Sequence, residues 1–280
     1  MEVVLQVGVL VFVLSSMLAM GLSLTLRQII EPLRDVRLVA VALLANFVAV
    51  PLLAVAIDAV LSLSESLSVG LLLIATAAGA PFLPKLAEVA KGNIAFSVGL
   101  MVLLMVLTVI YMPLVLPILI TGIEINPWDI ASSLIFLMLL PLAIGLFVKW
   151  RYESMADGLQ PAMAQTSTVA IAILLVAGVI ANFSSIIDII GTGGFLAIVL
   201  FLAGGFILGY LGGSDRGTRS VLGLGTAQRN LSAALVVAGQ NFSADPDVLT
   251  FIIVAGIVGL VLLMPLAGEL GRRSTAPAEG

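Results

Sequence analysis

The sequence lacks cysteine and histidine altogether, and it has few charged residues. With no Cys and no His, disulfides, thiol nucleophiles, histidine general bases and zinc sites of the usual kinds are excluded. No Ser/His or paired-Asp constellation is present either, so we expect no enzyme and no cofactor. Lys and Arg number only 12 against 16 Asp and Glu, so no basic surface is available and nucleic-acid partners are not expected.

Apolar sequence is what the chain has in abundance. Charged residues are 10% and hydrophobic residues 61% of the 280, whereas an average soluble domain is about 25% charged. A bilayer core of ~30 Å needs ~20 apolar residues per helix, and nine segments meet that length. They are residues 3–26, 38–61, 67–90, 94–121, 130–149, 164–182, 194–212, 221–240 and 248–268.

These segments predict an all-α integral membrane protein in contact with lipid. We expect one transmembrane domain over residues 1–270 and a disordered cytoplasmic tail over 271–280. Glu2 is the only charge near the N-terminus, so residues 1–26 are predicted to be a first span rather than a cleaved signal peptide.

The distribution of Lys and Arg predicts an orientation. Ten of the 12 cations fall between alternate segments, and they lie on one side when the N-terminus is outside and the C-terminus cytoplasmic. They are Arg27, Arg34, Arg37, Lys91, Lys149, Arg151, Arg216, Arg219, Arg272 and Arg273. A multi-pass protein of the plasma membrane is expected. The other two cations, Lys85 and Arg229, lie inside the third and eighth segments.

Two segments carry helix-breaking sequence near their middle. Residues 77–84 contain one Gly and two Pro, and residues 223–230 contain two Gly followed by a polar run. Carbonyls freed by such breaks are tolerated in a membrane only where protein or a water-filled cavity satisfies them. We therefore predict that residues 79–84 and 223–230 form two interruptions that meet near the bilayer centre.

The same two segments show a weak internal repeat. Residues 88–93 align with residues 236–241, and Met-Pro-Leu follows each about twenty residues later, at 112–114 and 264–266. The copies lie five segments apart and therefore run in opposite directions, which is typical of inverted-topology repeats.

Several of these motifs resemble the bile acid:sodium symporter superfamily. They are Met20–Leu26 with the basic loop after it, Asn46–Pro51, Lys91–Asn93 and the polar run Thr226–Asn230. The resemblance implies inverted repeats of 4+5 helices with two broken helices that cross. A panel domain would comprise the first, fifth and sixth helices, and a core domain the second to fourth and seventh to ninth. It also implies secondary active transport of an organic anion by alternating access, with a bile-acid-like sterol or a small carboxylate as substrate.

The chain departs from the family where sodium would bind. The resemblance assigns sodium ligands to five positions that here offer no side-chain oxygen: Leu83, Pro84, Met101, Gly225 and Arg229. Asn46 and Ser97 remain, and with Glu88 they form a degenerate ion site. We therefore predict transport without sodium. The alternatives are a sodium-coupled symporter and an arsenite-type efflux carrier, and the lack of Cys counts against the second. A channel or receptor also remains open.

Six residues are candidates for substrate binding: Arg229, Asn230, Gln228, Thr226, Lys85 and Pro81. Arg229 either binds the anion or serves as a structural ion pair or hydrogen-bonded cap of the broken third segment. Lys85 either occupies the place of a sodium ion or snorkels to the interface beside Glu88. Glu88 either neutralises Lys85 or Lys91, or carries a proton after its pKa is raised by burial. Sodium and protons are thus the candidate coupling ions. A narrow polar cavity with two cations favours a small carboxylate over a large steroid.

Overall fold

The computed structural model describes residues 2–120, 126–181, 189 and 191–275. Its regular elements are helices, with no strand among the described residues. In chain order they are α1 Glu2–Ser23, α2 Leu26–Ile30, α3 Val36–Leu61, α4 Glu65–Thr76, α5 Leu83–Val89, α6 Ile94–Leu119, α7 Pro127–Arg151, α8 Glu153–Ala181, α9 Gly194–Gly212, α10 Arg216–Ala227, α11 Leu231–Asn241 and α12 Pro246–Thr275.

The fold is that of a multi-pass membrane protein. Five helices (α3, α6, α7, α9 and α12) are long and apolar enough to cross a membrane, and the bent pair α1–α2 would make a sixth. Each of the nine predicted segments contains helix in its described part, although residues 121 and 182 lie outside that part. Since five or six helices within the described residues are long and apolar enough for a crossing, the number of spans stays a prediction.

The first predicted segment ends earlier than expected, at a sharp bend. α1 ends at Ser23, and the chain turns by 96° before α2. The bend is stabilised by a capping box, in which the Thr25 hydroxyl accepts from the Gln28 backbone N–H while Gln28 accepts from Thr25 N. Such reciprocal capping satisfies orphan donors at a helix start, so a new helix begins where a continuous span was predicted.

Two interruptions are present and contact each other, but the predicted bounds are wrong, because residues 83–84 and 223–227 are helical. α4 ends at Thr76 and α5 begins at Leu83, while α10 ends at Ala227 and α11 begins at Leu231. Asn230 joins the breaks. Its backbone N–H donates to Ala77 O (2.8 Å) and its side-chain amide to Gly79 O (3.0 Å). The same side chain caps α11 by accepting from Ala233 N (3.1 Å).

Gly79 is required at the first break for two reasons. Its φ of +80° lies in the left-handed region, which costs other residues energy because their Cβ is crowded there. A Cβ at this position would also collide with the backbone of Met105 in α6. The break therefore packs directly against α6.

Charged loops separate to two ends of the molecule. Residues of the loops 24–35, 93–96 and 214–218 line one shared pocket, and Gly271 packs against Val89 O near it. We call this the basic end. At the opposite, acidic end, Ser66 donates to Asp245 (2.6 Å) and Ser68 to Asp58 (2.7 Å).

α12 continues beyond the predicted membrane segment. Glu269 pairs with Arg272 and with Arg273 (2.8 Å) one turn later, and the helix runs to Thr275. Residues 271–275 are thus helical, so the prediction of a disordered tail from residue 271 is wrong for them. Residues 276–280 lie outside the described part.

Candidate functional site

Arg229 lies in the second break, and its guanidinium is surrounded by oxygen atoms. Its Nε donates to Ile74 O (3.0 Å) and its Nη2 to Ala75 O (2.6 Å). Nη1 donates to Asn46 Oδ1 (2.7 Å) and to Thr226 O (3.3 Å). The residue is only 5% exposed, so a permanent cation is held inside the protein by four oxygens.

The end of α4 explains why Arg229 is needed there. Carbonyls in the last turn of a helix have no helical donor. Ala78 N, which would have donated to Ile74 O in a continuous helix, instead donates to Thr108 Oγ1 (3.0 Å). The guanidinium of Arg229 donates to these carbonyls in place of the missing backbone donors. Its positive charge is also favourable at the negative end of the helix dipole. The cap that was one of the two expected roles of Arg229 therefore exists, and its contact with substrate stays a prediction.

Asn46 reaches Arg229 from a π-helical segment of α3. The segment covers Ala45–Ala49, just before Pro51, which lacks a backbone donor. The carbonyl of Phe47, four residues before Pro51, accepts from the Tyr111 hydroxyl of α6 (2.5 Å). Sequence reasoning missed Tyr111, although the Pro four residues after Phe47 was a visible signal of a freed carbonyl.

Thr226 and Asn230 stabilise this junction and do not line the cavity described below. Asn46 Nδ2 donates to Thr226 Oγ1 (3.2 Å) as well as to Ala42 O (3.0 Å). Asn46, Thr226 and Asn230 are all fully buried. The structure thus brings these three predicted residues together with Arg229, and their substrate or ion contacts stay predictions.

Apolar packing fills the neighbouring space. Leu83 is fully buried, and a Cβ on Gly225 would lie 2.8 Å from its Cδ2. Leu83 therefore packs directly over Gly225. Ser97, also fully buried, lies apart from the junction contacts, and its hydroxyl donates to Ile94 O (2.6 Å) within α6.

A cavity of about 640 Å³ lies beside the breaks. α1 and α8 form one wall, and α5, α9, α11 and α12 contribute to the rest. Its apolar lining includes Phe12, Met20, Ile198, Phe201, Leu231 and Leu263. Four of the predicted residues line it: Lys85, Pro81, Gln228 and Arg229.

The prediction of a narrow polar cavity is wrong. Small-molecule sites usually occupy ~300–1,000 Å³ and have mostly apolar walls, and this cavity is of that kind. The apolar side chains of α9 and α12 line it. Since these helices are apolar all round, their sequences do not indicate which face borders a cavity.

Lys85 and Glu88 form an ion pair with an N–O distance of 2.8 Å. Their side chains are 55% and 58% exposed, and only Lys85 lines the cavity. The pairing matches the expectation that Glu88 neutralises Lys85. The expected burial of Glu88, on which a proton-carrying role would depend, is absent.

Two polar atoms beside the cavity have no hydrogen-bond partner among the described residues. They are Gln228 Oε1 and Ser232 Oγ, both buried, and both residues line the cavity. Ser232 was not predicted as a site residue, because in the sequence it is an ordinary serine in an apolar helix.

Comparison of the sequence with known proteins matches it to one family. The model of the Sodium Bile acid symporter family matches residues 10–189. The chain is 24% identical over 255 residues to the probable sodium/metabolite cotransporter BASS3, chloroplastic, of Arabidopsis thaliana, which covers 88% of this chain and 59% of the relative. It is 26% identical over 264 residues to BASS1 of the same plant, a probable chloroplastic sodium/metabolite cotransporter (92% and 65% covered).

A bacterial relative has a similar level of identity. The uncharacterized sodium-dependent transporter YocS of Bacillus subtilis (strain 168) is 23% identical over 232 residues, covering 81% of this chain and 72% of that protein. The chain thus spans 59% and 65% of the length of the two plant relatives.

Proposed function

The chain belongs to the Sodium Bile acid symporter family, and we propose that it is a secondary active transporter of an amphipathic organic anion that does not require sodium. Transport rather than catalysis is supported by the names of the relatives, which are cotransporters or transporters. The cavity between α1 and α8 on one side and the broken helices on the other supports a binding site for the substrate.

The cavity also supports an amphipathic substrate. Its apolar walls suit a hydrocarbon body, and Lys85 provides a cation for a carboxylate. Lys85 is a better anion contact than Arg229, because the guanidinium already donates to four oxygens. Among the described residues, the Lys85 ammonium pairs only with the exposed Glu88. A bile-acid-like anion therefore fits better than a very small carboxylate.

Independence from sodium rests on the environment of Arg229. Sodium needs a cluster of oxygen ligands, and the cluster at the breaks already holds a covalently attached cation. Two like charges ~4 Å apart repel by about 4 kcal/mol at an effective dielectric constant of ~20, close to a thousandfold loss of affinity. The position where the family resemblance places a carboxylate is Gly225, which is covered by Leu83.

We propose an architecture that agrees with these contacts. Nine spans in inverted repeats of 4+5 would form a panel of α1, α7 and α8, which pack on one another, and a core from the remaining helices. The basic end would be cytoplasmic, with the N-terminus outside, in the plasma membrane. The cavity extends along α1 from Phe12 to Leu24, which also lines the pocket at the basic end, so this conformation would face the cytoplasm.

A sodium-coupled symporter is the second candidate, and the names of the relatives support it. In that case Asn46, Ser97 and backbone carbonyls would have to bind the ion in another conformation. Arsenite-type efflux has less support, because the sequence has no cysteine.

Uptake into proteoliposomes tests the proposal. We expect saturable uptake of radiolabelled cholate, with equal rates in sodium and in choline buffer at a clamped membrane potential. Liposomes without protein are the control. Saturable dependence on sodium that disappears in Asn46→Ala or Ser97→Ala would contradict sodium independence. Absence of uptake of cholate, pantoate and keto acids under every imposed gradient would contradict organic-anion transport.

A further inference from the structure

One buried hydroxyl group in the described part of the chain differs from all the others. Eight buried Ser and Thr side chains have hydrogen-bond partners: Ser15, Thr76, Ser97, Thr108, Thr218, Ser220, Thr226 and Thr250. Ser232 is equally buried, at 1% exposure, and its hydroxyl has no partner. Buried polar groups in proteins are nearly always hydrogen-bonded, so this exception needs an explanation.

The helix break explains why Ser232 has no partner within the protein. Most buried Ser and Thr side chains in helices donate to the carbonyl three or four residues earlier, as Ser220 does to Arg216 O (2.9 Å). Ser232 is the second residue of α11. The residue four positions earlier, Gln228, is in an extended conformation (φ −77°, ψ 129°). Its carbonyl is therefore not in place for the usual bond.

Gln228 has an unpaired atom at the same break. Its Oε1 is buried without a partner, and both Gln228 and Ser232 line the cavity. They are four residues apart and lie on either side of the α11 cap, Asn230. Two neutral groups, each able to donate and to accept a hydrogen bond, thus border a mostly apolar cavity with part of their capacity unused.

We infer that Gln228 and Ser232 are a specificity-determining pair that binds a neutral hydroxyl group of the transported anion. This inference rests on the proposed function. A hydroxyl group both donates and accepts, and so matches both side chains, whereas the carboxylate of the substrate is attracted to the cation of Lys85. A substrate without the hydroxyl leaves both groups unpaired, and sites built to bind a hydroxyl discriminate strongly against such analogues.

A series of steroid acids with the same carboxylate tests the inference. Cholate carries three hydroxyls, and 5β-cholanate carries none. We would measure the dissociation constants of both for purified wild-type protein and for variants, and compare the ratio of the two constants. Each acid also partitions into the detergent. This partition does not depend on the protein, so its effect on the ratio of dissociation constants is the same for every variant and cancels when variants are compared.

We expect wild-type protein to prefer cholate, and Ser232→Ala and Gln228→Leu each to reduce the preference by about tenfold. The affinity for 5β-cholanate should stay the same. Ser220→Ala is the matched control, since it removes a buried hydroxyl outside the cavity and should leave the ratio unchanged. Ser232→Thr keeps the hydroxyl and should retain the preference. Ser232→Ala should also leave the melting temperature at or above that of wild type, because no bond within the protein is lost.

Other results separate the two proposals. In one outcome, the wild type binds both acids while the ratio of their dissociation constants is the same in wild type, Ser232→Ala and Gln228→Leu. In that case Gln228 and Ser232 do not bind a hydroxyl group of the substrate, and the proposal of organic-anion binding is unaffected. The same conclusion follows if Ser232→Ala lowers the melting temperature at least as much as Ser220→Ala, because Ser232 would then be structural. If wild-type protein binds neither acid, the proposed substrate class fails, and the inference fails with it.

Discussion

At the scale of single residues, Arg229 connects the fold to the proposed chemistry. A helix that stops inside a membrane protein leaves carbonyl oxygens that need donors, and a guanidinium supplies several in one plane. The contacts with Ile74 O and Ala75 O serve that purpose. Under the proposed function, the charge that makes Arg229 a good cap would also oppose sodium, so one substitution should affect both stability and ion dependence.

Arg229→Ala is predicted to make the protein responsive to sodium. Removing the side chain leaves four oxygens without their donor groups, and we expect a loss of about 3 kcal/mol or more in folding stability, since hydrogen bonds to a charged group are worth ~1.5–3 kcal/mol each. Sodium should recover part of the lost thermal stability, because it can occupy the vacated cluster. The measurement is the melting temperature in sodium against choline.

Wild type and Arg34→Ala, which changes an exposed loop cation, are the controls and should show no difference between the two salts. A saturable stabilisation of wild-type protein by sodium would contradict the role of Arg229 as a built-in cation.

Lys85→Gln is predicted to weaken anion binding without weakening the fold. Its ion pair with Glu88 is more than half exposed, and exposed pairs contribute only ~0–1 kcal/mol. We expect the affinity for cholate to fall about tenfold, or ~1.4 kcal/mol, with little change in melting temperature. Glu88→Gln is the matched control and should bind cholate at least as well as wild type, since it leaves Lys85 unpaired. Equal loss in both variants would show that the pair is structural.

At the scale of helices, irregular segments determine the geometry of the site. Two breaks and a π-helical segment in α3 meet around Arg229. The first break contains Gly79 and Pro81, and the π-helical segment precedes Pro51, whereas the second break, residues 228–230, contains neither Gly nor Pro. Pro removes a donor, and Gly permits a left-handed backbone or a close approach. Partners from other helices then satisfy the freed groups, as Tyr111 does for Phe47.

Gly79→Ala is predicted to be strongly destabilising. A residue with a Cβ at φ +80° is strained, and the added carbon would meet the Met105 backbone, so we expect a cost of about 2–4 kcal/mol. Gly158→Ala in α8 is the control, because nothing lies within 4 Å of its added Cβ. That change should be neutral or stabilise by ~0.5–1 kcal/mol. Denaturation of both variants in detergent measures the difference, and similar stabilities would contradict the described break.

Tyr111→Phe is predicted to cost about 1 kcal/mol, since it leaves the carbonyl of Phe47 without its donor. The cost should shrink when Pro51 is also changed to Ala, because the new backbone N–H can then pair within α3. A double-mutant cycle of melting free energies measures this coupling. Additive effects would mean that Tyr111 does not compensate for Pro51.

At the scale of the whole molecule, the position of the cavity is related to the separation of charge, because the cavity reaches toward one of the two charged ends. Pocket residues from the loops 24–35 and 214–218, which contain Arg27, Arg34 and Arg216, lie at the basic end, whereas Asp58 and Asp245 lie at the acidic end. The cavity reaches toward the basic end along α1. Under the positive-inside rule, substrate would reach Lys85 from the cytoplasm in this conformation.

Cysteine labelling is predicted to place the two ends on opposite sides of the membrane. The native chain has no cysteine, so single substitutions give a signal without background. In intact cells, a membrane-impermeant maleimide should label Glu65→Cys at the acidic end and should not label Arg34→Cys or Arg216→Cys. Permeabilised cells should show labelling of all three, as the control. Labelling of Arg216→Cys from outside would overturn the proposed orientation.

The sequence by itself determined the membrane class, the helical segments and which two of them break, although not the residues at which the breaks begin and end. These properties depend on local composition: apolar length sets a helix that can enter lipid, and the Gly and Pro residues of 77–84 end one helix. Gly and Pro are not sufficient by themselves, because Pro113, Pro117 and Pro265 lie inside helices. Arg229 was also identified as important, because a permanent charge inside an apolar segment is costly and therefore has a function.

Only the tertiary structure decided what surrounds each of these residues. Two of the four acceptors of Arg229 are backbone carbonyls of residues more than a hundred positions away. Carbonyls are present in every residue, so the sequence carries no signal for these two. The sequence also carries no signal for the apolar character of the cavity or for the unpaired hydroxyl of Ser232. In a helix that is apolar all round, packing decides which face borders a cavity and which polar atom lacks a partner.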